Sequence, residues 1–459
     1  MPRRRLPGRL PLTVAVAWFR RDLRLSDNPA LLDALTVGND VVALFVLDDA
    51  LWRPAGPTRR AFLAGCLGSL DESTGGHLVV RIGDPAQVVP QLTAEVGAST
   101  VHAAEDFGPY GRRRDRVVAR ALAATGAELA LVGSAYAVAP GSLSTRQGSP
   151  YRVFGPFARA WQEHGWEPPA PAPGSPSWVD GLRSDGLPEL PRAAADLPPA
   201  GEEAAKRAVR RFWERQLDGY DELRNIPAAD VTSRLSPYLR WGCLHPRQLL
   251  AKLGTDRSSR RFRDELCWRE FYADVLLRDP ASARRSWQPG MRSLRVDEGA
   301  LADDRFAAWS QGRTGFPLVD AGMRQLAAEA WMHNRVRMVV ASFLVKDLHL
   351  DWSRGARWFM QHLVDGDLAS NSHGWQWVAG TGTDPSPFVR VFNPVAQSKR
   401  FDPDGDYIRR WLPELRAVPA PAIHEPWTLT GGPPAGYSMP IVDHATERRE
   451  ALVRYGELP

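Results

Sequence analysis

Val14-Ala-Val-Ala-Trp-Phe-Arg-Arg-Asp-Leu-Arg-Leu-Ser-Asp-Asn28 decides how the first third of this 459-residue chain folds. The apolar run from Val14 to Trp18 reads as a strand buried on both faces. The stretch from Arg20 to Asp27 is rich in charge, and it lacks the Gly-x-Gly-x-x-Gly cradle that turns a dinucleotide-binding strand into its helix. Similar short apolar runs recur at residues 41–47, 78–82, 100–103 and 128–132. Between them, residues 29–37, 58–70, 85–96 and 111–124 carry apolar side chains at helical spacing. Strands alternating with helices imply an α/β domain with a parallel five-stranded sheet, spanning residues 1–136.

The pattern then dissolves. Residues 137–201 are rich in Pro, Gly and Ser, as in Pro168-Pro-Ala-Pro-Ala-Pro173, and read as a long interdomain linker. From Glu202 the periodicity is helical, for instance over residues 201–218, 259–277, 317–346 and 354–364. Residues 202–459 therefore form an all-α domain, large enough to enclose a ligand. Twelve of the 17 tryptophans lie in this half. A buried indole N–H needs a partner, so most are packing anchors, but the surplus fits stacking on bases or electron hopping.

Lys and Arg outnumber Asp and Glu by 58 to 53, a basic excess that suits a polyanion partner or an ordinary basic surface. Cys66, Cys243 and Cys267 are too few and too scattered for a disulfide framework or a metal site, and they fit a cytoplasmic chain. Met1-Pro-Arg-Arg-Arg5 resembles the start of a signal peptide, yet the apolar stretch after it meets Arg20-Arg-Asp22 without a cleavage site. It reads as a basic arm. No stretch reaches the roughly 20 apolar residues that span a membrane. The P-loop, His-Glu-x-x-His and nucleophile-elbow motifs are absent, which removes common enzyme classes of α/β scaffolds.

Six further segments carry chemistry. They are Thr232-Ser-Arg-Leu-Ser-Pro-Tyr-Leu-Arg-Trp-Gly242, Glu265-Leu-Cys-Trp-Arg-Glu-Phe-Tyr272 and Gly315-Phe-Pro-Leu-Val-Asp-Ala-Gly-Met-Arg324. Then come Trp331-Met-His-Asn-Arg-Val-Arg-Met338, Asp365-Gly-Asp-Leu-Ala-Ser-Asn371 and Gly374-Trp-Gln-Trp-Val-Ala-Gly-Thr-Gly-Thr-Asp384. Read alone, Thr232, Ser233 and Ser236 are either a helix cap or a pyrophosphate site backed by Arg234. Asp365-Gly-Asp367 is equally a plain inter-helix turn. Together with the Phe19–Pro29 run, however, the series resembles the photolyase/cryptochrome family along nearly the whole chain and in order. It is most like the class I photolyases that repair cyclobutane pyrimidine dimers (CPDs).

The resemblance implies that FAD binds in the helical domain. Tyr220, Thr232, Ser233, Arg234, Leu235 and Ser236 match its phosphate-side contacts, and Arg337 with Asp365 is implied to pair beside the isoalloxazine ring. Asp367 is implied to hold the pyrimidine edge, with Gly366, Trp268, Arg269 and Asn334 as further contacts. Asn371 matches the amide that faces flavin N5 in photolyases, where plant cryptochromes tend to have Asp and animal ones Cys. Such an amide donates or accepts as N5 changes protonation. For a lesion flipped out of DNA, Trp268 and Trp377 match the stacking pair, Met338 the apolar floor, and Glu265 and Asn334 the groups that bond pyrimidine edges. Arg335, Arg390, Lys399 and Arg400 are implied to clamp phosphates. The expected catalytic set is Glu265, Asn371, Trp375 and Trp352.

Two departures matter. Trp375 and Trp352 match the inner members of an electron relay, but the outer position, ten residues before Trp309, is Gly299. Trp358, Trp287 or a tyrosine are the candidate substitutes, with Trp358 preferred. At the antenna, Tyr110-Gly111 stands where folate-binding relatives carry Asn-Glu, and Gly108-Pro-Tyr-Gly-Arg-Arg-Arg-Asp115 is more like deazaflavin-type relatives. The expected second chromophore is 8-hydroxydeazaflavin rather than folate. The overall expectation is a monomeric enzyme acting on damaged DNA with reduced FAD. A cryptochrome-type photoreceptor is the alternative, as is a (6-4) photolyase, which needs a second His where this chain has Asn334.

Overall fold

The computed structural model describes residues 13–189, 195–383 and 390–458. The basic arm and Asp384 lie outside them. Five parallel strands, β1 (Val14–Phe19), β2 (Asp40–Leu47), β3 (Leu78–Ile82), β4 (Thr100–Glu105) and β5 (Glu128–Ser134), lie in the order β3-β2-β1-β4-β5. Alternate side chains of β1 enter different cores. Ala15, Ala17 and Phe19 join the core shared with the helical half, while Val16 and Trp18 pack on the opposite face. That two-sided burial is why the strand carries no polar residue.

The crossovers are α1 (Pro29–Val37), α2 (Pro57–Ser73), α3 (Pro85–Glu95) and α4 (Pro109–Ala123). Each opens on a proline, whose fixed φ is prepared for a helix start. The winding direction reverses between β1 and β4, and Arg20 and Arg21 leave β1 at that point.

Within the expected linker, residues 154–164 form a helix, α5 (Phe154–His164). Phe157 and Trp161, one turn apart, are buried, and Trp161 Nε1–H donates to Glu270 at 2.6 Å. The surrounding Pro and Gly hide this short amphipathic segment in a composition reading.

The principal helices of the second half begin with α6 (Glu202–Arg215), α7 (Ser236–Trp241), α8 (Arg257–Arg278), α9 (Ala300–Ser310), α10 (Pro317–Glu329) and α11 (Asn334–Lys346). After them come α12 (Trp352–His362), α13 (Leu368–Ala379), α14 (Pro394–Phe401) and α15 (His444–Gly456). One correction concerns residues 317–346, expected as one helix. Ala330 is left-handed at φ 51°, ending α10, and His333 Nδ1 accepts Arg335 N–H at 3.1 Å to start α11. The break turns Asn334, Arg335, Arg337 and Met338 toward a cavity in the helical half.

The charged stretch after β1 is the seat of the helical half. The Glu202 carboxylate accepts the N–H groups of Leu25 and Ser26 at 2.7 and 3.3 Å. Arg247 pairs with Asp27 at 2.6 Å, and Arg24 donates to the Gly242 carbonyl at 3.0 Å. Among the described residues, no helix is long and apolar enough to cross a membrane.

Candidate functional site

The cavity, of about 530 Å³, is walled by α7, α8, α11, α13 and the 365–367 loop. Tyr220 and residues 232–236 line one side, and Asp365, Gly366, Asp367 and Asn371 the floor. Glu265, Trp268, Arg269, Asn334, Arg335, Arg337, Met338, Trp375 and Trp377 are also in the wall, as are Arg224, Asn225, Arg240 and Trp331. Four expected residues do not line it. Trp352 is buried behind, with Nε1–H donating to Ser286 Oγ at 3.3 Å. Lys399 is held on the surface by Glu425, Arg400 lies over the Phe401 ring, and Arg390 is exposed.

On the FAD-motif side, one carboxylate organises the contacts. Asp365 Oδ2 accepts from Arg337 at 2.9 Å and from the Ser236 hydroxyl at 2.6 Å, tying α7, α11 and the loop together. The expected Arg337–Asp365 pair is present. Arg337 Nε–H also donates to the Met332 carbonyl at 2.8 Å, so the guanidinium is fixed at both ends. Arg234 is left-handed at φ 49°; it bonds Asp230 and Glu329 at 3.0 and 3.2 Å and lies 4.4 Å over the Trp331 ring. A strained non-glycine residue beside a hydroxyl-rich turn is a common mark of a ligand clamp.

Asp367 caps α13 by accepting Ser370 N–H at 3.1 Å, and its other oxygen accepts from Arg21 at 2.8 Å. Burial opposes its charge, yet Arg21, Arg240 and Arg269 hold it well below the usual carboxylate range. Asn371 Nδ2–H donates to the Ala356 carbonyl at 2.9 Å, which orients its amide. Thr232 Oγ1 and Asp365 Oδ1 are buried without a partner among the described residues. An unpaired buried polar atom costs roughly 1–3 kcal/mol, so two such atoms beside one cavity fit a polar ligand with its own donors and acceptors. These hydroxyls, amides and guanidiniums suit FAD.

On the other side the groups are aromatic and charged. Trp268 is backed by Phe154, the rings stacked 3.7 Å apart and 5° from parallel. Glu265 pairs with Arg224 at 2.6 Å. Arg335 donates twice to Asn225 Oδ1, at 2.9 and 3.3 Å, and lies 4.5 Å over Phe401. Trp377 and Met338 are half-buried on the helical core. A flat aromatic wall beside a carboxylate and an amide can stack on a planar group and bond its edge.

The sequence profile described as DNA photolyase matches residues 15–175, and that described as FAD binding domain of DNA photolyase matches residues 262–457. The deoxyribodipyrimidine photo-lyase of Streptomyces griseus is 43% identical over 451 residues, 95% of this chain and 98% of that protein. The chain belongs to the photolyase/cryptochrome family. Solved photolyase-family structures agree in fold. A bacterial class III photolyase from Agrobacterium tumefaciens superimposes with a TM-score of 0.91 at 36% identity over 98% of both chains. A Synechocystis cryptochrome superimposes with a TM-score of 0.88 at 30% identity, over 97% of this chain and 99% of that one.

Photolyase-family motifs pointed to most of the cavity wall but not to Arg224 or Asn225, nor to Phe154 behind Trp268; Arg240 and Trp331 stand within the motif segments without an assigned role. Arg224 and Asn225 have no local signature: each acts by reaching a motif residue, Glu265 or Arg335, from another segment. Phe154 could have been found from the aromatic spacing of α5.

Proposed function

We propose that this protein is a light-driven DNA repair enzyme, a deoxyribodipyrimidine photo-lyase that opens cyclobutane pyrimidine dimers. The observation that carries the reading is the shared cavity. One space is lined by the FAD-motif residues 232–236 and 365–367 and also by Glu265, Trp268, Asn334, Met338 and Trp377. Bound in its reduced form, FAD supplies one electron that blue light lends to the dimer and that returns after the ring opens. The chain binds and orients. Arg337, Asp365 and Ser236 hold the cofactor, and Asn371 presents an amide fixed by Ala356 to the flavin edge. Trp268, stiffened by Phe154, and Trp377 replace the stacking that a flipped lesion loses, while Glu265, held by Arg224, bonds its edge.

The class I reading rests on the motif series. The antenna reading, 8-hydroxydeazaflavin, rests on residues 108–115, where the Tyr110 hydroxyl donates to Asp48 and Arg20 pairs with Asp115 at 2.5 Å. Reconstitution with each pigment and fluorescence energy transfer to bound FAD checks it. The main test is blue-light repair of a dimer-containing oligonucleotide by reduced protein, with a dark control and a (6-4)-lesion arm. Light-dependent loss of the cyclobutane dimer alone is expected. Repair of only the (6-4) lesion, or of neither by FAD-loaded protein, would sink the reading; the second result favours the cryptochrome-type alternative, and a solved cryptochrome is similar to this chain.

A further inference from the structure

Arg20-Arg-Asp-Leu-Arg24 belongs to the stretch that sets the sheet, yet its second arginine lies far in sequence from every motif of the cavity. Arg21 leaves β1 where the sheet changes winding direction and crosses to the helical half. Its Nη2–H donates to Asp367 Oδ2 at 2.8 Å, and its Nε–H to the Arg240 carbonyl at 3.5 Å. Its main chain is pressed against Gly242, which is left-handed at φ 71° and where a Cβ would fall 1.9 Å from the Arg21 carbonyl oxygen. Because Asp367 also caps α13, a stiff route runs from β1 through one ion pair to the helix that carries Asn371, Trp375 and Trp377.

Charge on this wall is unbalanced. Arg240 Nε lies 3.9 Å from the same Asp367 oxygen and donates to the Gly366 carbonyl at 2.9 Å. Arg269 stands close by, donating to the carbonyls of Ala135 and Leu239 at 2.9 and 3.2 Å. Three guanidiniums thus act on Asp367, and Asp106 is a second carboxylate acting on Arg21 and Arg240, which leaves three positive charges against two negative ones. Burial and then Arg21 pull the Arg240 guanidinium down to about 9, against the opposing pull of Asp367 and Asp106. Such a wall favours a ligand that is negative on that side.

We propose that Arg21 is a positioning residue of the cofactor site, holding the start of α13 through Asp367 and supplying surplus positive charge that favours the anionic reduced flavin over the oxidised one. The proposal rests on the FAD reading. Arg21→Gln and Arg21→Lys test it in the purified full chain by two measurements. The first, amide hydrogen exchange over residues 368–371, needs no cofactor. It is expected to accelerate in Arg21→Gln and to stay near wild type in Arg21→Lys. The second is the midpoint potential of bound FAD by spectroelectrochemistry. It becomes more negative in Arg21→Gln, with reduced FAD weakened roughly tenfold relative to oxidised, the worth of one pKa unit, and Arg21→Lys restores it.

Asp367→Asn removes the opposing charge and shifts the potential the other way, a check that stands even if Arg21→Gln does not fold. An unchanged potential in folded Arg21→Gln overturns the proposal, as does equal weakening of both redox forms or a shift of the same sign in Asp367→Asn. Wild-type protein that takes up no FAD overturns the FAD reading instead, and the exchange measurement then still decides whether Arg21 holds the helix.

Discussion

Asp365 is only 7% exposed and takes two donors, Arg337 and the Ser236 hydroxyl. Removing Arg337 leaves a buried carboxylate with a hydroxyl alone, a loss of about 3–5 kcal/mol by the usual figure for breaking a buried pair. Arg337→Ala is therefore expected to be purified without most of its FAD, as absorbance and a dissociation constant will show; unchanged affinity would remove Arg337 from the site. The two lesion-side tryptophans differ in support. Trp268 has Phe154 stacked behind it, whereas Trp377 rests half-buried on the helical core. Trp268→Ala and Trp377→Ala should each weaken binding of dimer-containing DNA by about 1–3 kcal/mol, the range for one stacked base. Undamaged duplex, held through phosphates and sensitive to salt, should be little affected. Equal losses for both DNAs in a binding titration would return these residues to plain core packing.

At the scale of elements, α9 and α12 are expected to take the place of the outer tryptophan that Gly299 replaces. Trp309 on α9 lies 6.1 Å from Trp375, Phe306 lies 5.6 Å from Trp309, and Trp358 on α12 lies 5.8 Å from Phe306, all between ring centroids. The series joins the cavity wall to the half-buried Trp358; Phe306 is too hard to oxidise to hold the hole, so the expected step is an electron tunnelling from Trp358 past it to Trp309. Trp352, in the same helical core, forms no stacked or edge-on ring pair among the described residues; its indole is held by Ser286. Light-driven reduction of oxidised FAD is expected to slow several-fold in Trp358→Phe and Trp309→Phe and to change less in Trp352→Phe. Repair by chemically reduced protein should not change in Trp358→Phe, because that electron travels between flavin and lesion. Transient absorption and a repair assay on the same samples decide it, and fast reduction in all three variants would refute this route.

For the whole molecule, buried histidines make stability depend on pH. His373 is pushed from 6.5 to about 4, chiefly by burial. Its Nδ1–H donates to the Ala369 carbonyl at 2.8 Å and its Nε2 lies 3.0 Å from the Ser282 hydroxyl, which itself donates to the Asp279 carbonyl, so burial is what opposes the charged ring. His333 is pushed from 6.5 to about 3 by burial and by Arg335, Arg337 and Arg234. Both folded values are depressed, so between pH 6.5 and about 4 the unfolded chain binds protons that the folded chain refuses. Stability is thus complete above pH 6.5 and is lost as pH falls. At pH 5 the loss is about 2 kcal/mol for each histidine. Melting temperatures between pH 7 and pH 4.5 should fall accordingly, and His373→Gln should flatten part of the slope; a variant as steep as wild type would show that His373 does not carry it.

Sequence alone determined the alternating sheet-and-helix domain, the helical domain after it and most of the cavity wall. The elements are local, since a strand repeats every two residues and a helix every 3.6. The wall residues, spread over segments far apart in the chain, were legible through the resemblance of the motif series to photolyases and cryptochromes. Tertiary structure decided the rest. Arg21 meets Asp367 across 346 positions, and Asn225 meets Arg335 across 110. Phe154, in a stretch whose composition reads as linker, backs Trp268. Ala330 ends a helix that periodicity would continue, because its left-handed φ is imposed by packing and not by residue type. Side-chain type and spacing state which chemistry a chain can carry. Which distant charge or ring stands behind each group depends on how whole elements pack, and no local period encodes that.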